Sequence, residues 1–96
     1  MLAGLLVGCA AGPDMSALSN GNPASGERVY EQEGCASCHG AAGEGGSGGS
    51  LGSVHGMDDV EVWEFIYYGT DGMPDYPYLS EQEIADMIAW MRVYVL

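Results

Sequence analysis

The chain has 96 residues, 47% of them hydrophobic, and carries fourteen acidic side chains against two basic ones, for a formal net charge of −12. That length holds one small domain; such a domain buries only about 60% of the surface its unfolded chain exposes, so a covalent staple would help it. With Arg28 and Arg92 as the sole cations and no lysine, the charge argues against nucleic acid or anionic lipid as a surface partner, because both need clustered Lys or Arg. It suits a protein partner with a basic face or an uncharged contact patch, or simple solubility in a salty medium.

Residues 1–8 are apolar and too short to span a bilayer as a helix. They read as the end of a signal-peptide hydrophobic region, and Leu6-Val7-Gly8-Cys9 resembles the bacterial lipoprotein box, in which the cysteine becomes the lipidated first residue. No Lys or Arg precedes the apolar run, which points to a start upstream of Met1 or to a truncated fragment. The competing reading is an ordinary secretory signal cut further on, with Cys9 an incidental thiol; the lipoprotein is preferred because a free exposed thiol is a liability in an oxidising compartment. Both readings place the protein outside the cytoplasm. Residues 10–22 are small, polar and aperiodic, and read as a flexible tether ahead of a domain over 23–96.

The first helix is predicted over residues 23–33, with Asn22 as N-cap, Pro23 at its first position and Gly34 at its stop. Gly26, Val29 and Tyr30 share a face, and the glycine there allows another helix to approach closely.

Next comes Cys35-Ala36-Ser37-Cys38-His39. Two thiols three positions apart, followed at once by an imidazole, are the attachment signature of a c-type haem. On one face of a helical turn both sulfurs reach one haem edge, and His39 reaches the iron. The glycine-rich stretch from Gly40 to Gly56 alone resembles a linker, but directly after the attachment turn it reads as a loop folded beneath the macrocycle, with Leu51 against the haem. It lacks the strand and the GK[ST] ending of a phosphate-binding loop.

Asp58 and Glu61 have capping-box spacing, and Val62, Trp63, Ile66 and Tyr67 form an apolar stripe that ends at Gly69. Met73 then sits in Gly72-Met73-Pro74, 34 residues after His39. Pro74 restricts Met73 to extended conformations and gives its sulfur a rigid mount; iron held by one His and one Met has its reduction potential raised, which suits electron transfer. Met57 and His55 are rival ligands, whereas Met87 and Met91 fall on a helix face and read as packing. The last helix, from Ser80 nearly to Leu96, opens on the full capping box Ser80-Glu81-Gln82-Glu83 and carries the stripe Ile84, Met87, Ile88, Met91 and Val95. Its early acids and late Arg92 suit the helix dipole.

With these elements the chain resembles, over about residues 22–96, the small class I cytochromes c of bacteria, of the c5, c551 or c552 kind. The resemblance rests on Gly26 with Tyr30, on Cys35-Ala36-Ser37-Cys38-His39, on Gly72-Met73-Pro74, and on Leu79-Ser80 with Ile84-Ala85 and Ile88-Ala89-Trp90-Met91-Arg92. It implies an all-α fold of three main helices around one haem c, covalent through Cys35 and Cys38, with His39 and Met73 as axial ligands. It also implies that the first and last helices cross at Gly26 with Trp90 beside the crossing. Two departures stand out. Where the family often has Gly-Pro-x-Leu, whose proline carbonyl orients the histidine, this chain has Gly48-Gly49-Ser50-Leu51, and the lysine ring around the haem edge is missing.

The expected function is electron transfer by a monomeric, exported, periplasmic and lipid-anchored one-electron carrier between a donor and an acceptor protein, with no catalysis of its own. The alternative is a haem enzyme or gas-binding sensor with an open or displaceable distal position, served by His55 or nearby tyrosines. A zinc site from Cys35, Cys38, His39 and His55 is a remoter possibility. Thioredoxin-like chemistry is disfavoured because no βαβ pattern flanks the cysteines.

Overall fold

The three longest helices begin where the sequence supplies a cap. In the computed structural model, which describes residues 15–96, α1 is Met15–Leu18, α2 Pro23–Gln32, α3 Ala36–His39, α4 Asp59–Tyr68 and α5 Glu81–Tyr94, with a 3-10 turn at Leu51–Gly56 between α3 and α4. The Asn22 side chain accepts from the Ser25 N–H at 3.1 Å, and Pro23 occupies the first turn. Asp58 with Glu61, and Ser80 with Glu83, close reciprocal capping boxes at 2.8–3.0 Å. Each such cap is worth about 1 kcal/mol. Gly34 ends α2's trajectory at φ +76°, a left-handed conformation that side chains disfavour. Among the described residues there is no strand, and the fold is all-α.

Helix α5 is the hub, with α1, α2, α4 and the 3-10 turn all packing on it. Its length presents a buried row from Ile84 to Met91, joined by Tyr30, Val62, Trp63 and Ile66 from α2 and α4. The α2–α5 crossing is very close: a Cβ placed on Gly26 would lie 1.9 Å from the Asp86 carbonyl oxygen. One turn further along, Tyr30 and Trp90 meet with ring centroids 4.5 Å apart, tilted by 37°, a contact worth about 1 kcal/mol beyond its area. The buried Asp86 carboxylate accepts from the Asn22 N–H and the Gln82 amide, both at 2.8 Å. It therefore puts negative charge at the positive end of α2.

Arg92 does more than complement a helix dipole. Its guanidinium donates to the Val54 carbonyl, to the Met57 carbonyl at 2.8 Å and to Asp59 at 2.7 Å. One side chain thus clamps the 3-10 turn and the start of α4 onto α5.

One expectation changes. Within the stretch 10–22 expected to be a tether, Met15–Leu18 is helical, and Leu18, 1% exposed, is among the most deeply buried side chains. Aperiodic sequence hid this because a single apolar residue suffices to dock a one-turn helix. In the glycine-rich loop, Val54 enters the core while Leu51 stays half-buried at its margin. The signal segment and Cys9 lie outside the described residues.

Candidate functional site

The turn expected to attach a haem, Cys35 to His39, is a single helical turn slung between α2 and the glycine-rich loop. The His39 N–H bonds the Cys35 carbonyl at 2.9 Å, and Gly40 N–H bonds Ala36 at 2.9 Å. Cys35 is half-buried and Cys38 is exposed, and neither forms a disulfide among the described residues. Burial raises the Cys35 thiol above its ordinary value, and the Glu33 carboxylate adds to the shift.

His39 is oriented from behind. Its Nδ1 lies 2.7 Å from the Gly49 carbonyl oxygen. With Nδ1 as donor, Nε2 is left as the nitrogen that can bind a metal. Gly49 stands where the resemblance has proline, so a backbone carbonyl serves without the ring. The loop that delivers it is tied down by Gly48 N–H to Cys38 O at 2.8 Å and Gly46 N–H to Gly48 O at 2.8 Å. A Cβ on Gly48 would come within 3.0 Å of the His39 ring, so glycine here admits the imidazole.

Met73 is mounted by its own backbone. Thr70 and Met73 exchange both hydrogen bonds, at 3.0 and 3.2 Å, around the Asp71-Gly72 turn. The loop is fastened back to α4 by Tyr76 N–H to Ile66 O at 3.0 Å. Cys35, Ala36, Leu51, Met57, Val60, Tyr67, Met73 and Tyr76 are all partly buried hydrophobics along the margin of one core.

The haem that the resemblance implies fits these residues. Two unpaired thiols and an imidazole with its outer nitrogen occupied share one turn, and the margin of half-covered apolar side chains suits a large hydrophobic ring. Rival ligands fare differently. Met57 shares that margin, whereas Met87 and Met91 are core at 2% and 4% exposure. His55 turns its Nε2 to the Val95 carbonyl at 2.7 Å. Among the described residues no three His, Cys, Asp or Glu side chains assemble as a metal site, so the four zinc ligands do not come together.

Three polar contacts around the site escaped the sequence reading, because each joins residues distant along the chain. The Tyr30 hydroxyl donates to the Gly40 carbonyl at 2.6 Å, fixing the exit from the attachment turn. The Tyr78 hydroxyl donates to Glu33 at 2.6 Å, linking the loop after Met73 to the end of α2. Both phenols are pushed up to about 12, Tyr30 chiefly by burial and Tyr78 chiefly by this hydrogen bond. The third contact is the Arg92 clamp.

Because the folded-state value of Tyr30 lies above the ordinary value of 10.0, its contribution to stability is complete below pH 10 and is lost as pH rises towards 12. Denaturant unfolding followed across that window is expected to show this loss, and Tyr30→Phe to flatten the slope while weakening the protein by about 1 kcal/mol at neutral pH.

No curated protein and no solved structure matches the chain. A family model does: the one described as cytochrome C oxidase, cbb3-type, subunit III matches residues 21–91, from the cap of α2 through most of α5 and across the whole attachment turn, so the chain belongs to that family and carries a cytochrome c domain, a module for haem-based electron transfer.

Proposed function

We propose that the protein is a one-electron carrier with a single haem c held through Cys35 and Cys38, His39 and Met73 being the axial ligands. When bound, the haem supplies a one-electron iron couple. The chain's own residues hold and tune it. Gly49 keeps a proton on His39 Nδ1, which fixes the tautomer and makes the imidazole a stronger donor. Thr70 and Pro74 fix the backbone that carries the Met73 sulfur, and a thioether opposite histidine raises the potential. The core built on α5 keeps water from the buried side. The observation that carries this reading is the His39–Gly49 hydrogen bond, an imidazole oriented within a haem-attachment turn inside a cytochrome c domain.

Export to the periplasm, lipidation of Cys9 and a monomeric state belong to the same proposal, supported by Leu6-Val7-Gly8-Cys9 and by the charge of −12. No helix among the described residues is long and apolar enough to cross a membrane. The test is the far-red absorption of the oxidised, haem-loaded protein. A weak methionine-sulfur-to-iron band is expected; haem without that band would overturn Met73 and favour an open or differently ligated iron.

The family's name supports a second reading, in which the domain is a fixed subunit that feeds an oxidase. Co-purification with a membrane oxidase in detergent would favour it; recovery as a free monomer would favour the shuttle.

A further inference from the structure

We propose that the outward face of α4, formed by Glu61, Glu64, Phe65, Tyr68 and Gly69, is the docking surface for a redox protein that presents lysine or arginine around an apolar contact. The inference rests on the carrier reading and names where the partner sits.

Residues 61, 64, 65 and 68 follow 3- and 4-residue spacing and share one helix face, which lines an open groove together with Gly69. Phe65 is 48% exposed and Tyr68 65% exposed. The inward stripe of Val62, Trp63 and Ile66 already anchors α4, so the fold leaves the Phe65 ring outside its core. Exposed aromatics rimmed by charge have the make-up of an interface centre.

The rim is purely acidic. Arg92 is occupied by Asp59, and Arg28 lies on α2 beside Ser25, so neither cation offsets Glu61 and Glu64. That field attracts a basic partner, and a net charge of −12 on each chain opposes a second copy of this protein.

The groove also abuts the Met73 loop. A Cβ on Gly69 would lie 2.7 Å from the Met73 carbonyl oxygen and 2.9 Å from the Asp75 nitrogen. From the surface inward, the rings of Tyr68 and Tyr67 are 5.0 Å apart and those of Tyr67 and Trp63 4.5 Å. A partner on Phe65 and Tyr68 therefore stands over the methionine side of the domain, with packed aromatic rings beneath it.

The test titrates the 15N-labelled, haem-loaded full chain with an unlabelled lysine-rich c-type cytochrome as the basic redox probe. Amide shifts are expected over residues 61–69 and are expected to vanish at high salt. The double variant Glu64→Lys, Phe65→Ser should weaken binding at least ~10-fold, whereas Glu27→Lys, an exposed reversal on α2, should cost less than ~3-fold. Shifts centred elsewhere, equal losses from both variants, or self-association through 61–69 would overturn the proposal. Mapping on the unmodified chain keeps it testable if the double variant fails to fold. Electron exchange with the same probe is read separately by stopped flow. Binding at 61–69 without exchange keeps the surface and removes the carrier reading; exchange with shifts confined to the attachment turn does the reverse.

Discussion

Replacing Gly26 by alanine is expected to cost about 3 kcal/mol and to lower the melting temperature of the haem-loaded protein by about 15 °C. The added methyl would meet the Asp86 carbonyl oxygen at 1.9 Å and its carbon at 2.3 Å. Both are backbone atoms in the middle of α5, so no side chain can swing away and the helices must part. Parting them stretches the Asn22–Asp86 hydrogen bond and loosens the Tyr30–Trp90 pair one turn on. A small domain commands only about 5–15 kcal/mol in total, so the loss is a large share of it. Thermal unfolding followed by circular dichroism checks this, with Gly56→Ala as the control because nothing lies within 4 Å of that position. Similar small losses in the two variants would mean that α2 and α5 do not touch at Gly26.

Replacing Met73 by alanine is expected to abolish the far-red band, to lower the reduction potential by on the order of 100 mV or more, and to let carbon monoxide or cyanide bind. A thioether ligand stabilises reduced iron, and removing it would leave the position it fills open to added ligands. The loop itself should survive, because the Thr70–Met73 bridge uses only backbone atoms and Tyr76 still bonds Ile66. Redox titration and ligand binding, with the melt as a check on folding, separate a lost ligand from a lost fold. An unchanged potential would remove Met73 from the assignment, and Met57, on the same half-buried margin, would be the next residue to replace.

Much of the fold was legible because its signals are local. Asn22, Asp58 and Ser80 satisfy backbone donors within three residues of themselves, and α2, α4 and α5 each start beside that cap. The stripes on α4 and α5 follow from helical periodicity alone. The Cys35–His39 motif stands out in the sequence for the same reason, since five consecutive residues carry the whole pattern.

The features that escaped the sequence reading depend on neighbours brought together from far along the chain. Leu18 carries no periodic signal, yet folding buries it; Arg92 was read as a helix-end charge, yet it clamps Val54, Met57 and Asp59.

The sequence by itself determined the all-α class and the starts of α2, α4 and α5, because capping and periodicity act over three or four residues. Only the tertiary structure decided that the Gly49 carbonyl orients His39, that Tyr78 reaches Glu33, and that Phe65 and Tyr68 stay outside the core. Each of those depends on which surfaces α5 gathers when it buries the apolar faces of α2 and α4, and no spacing along a single segment encodes that choice.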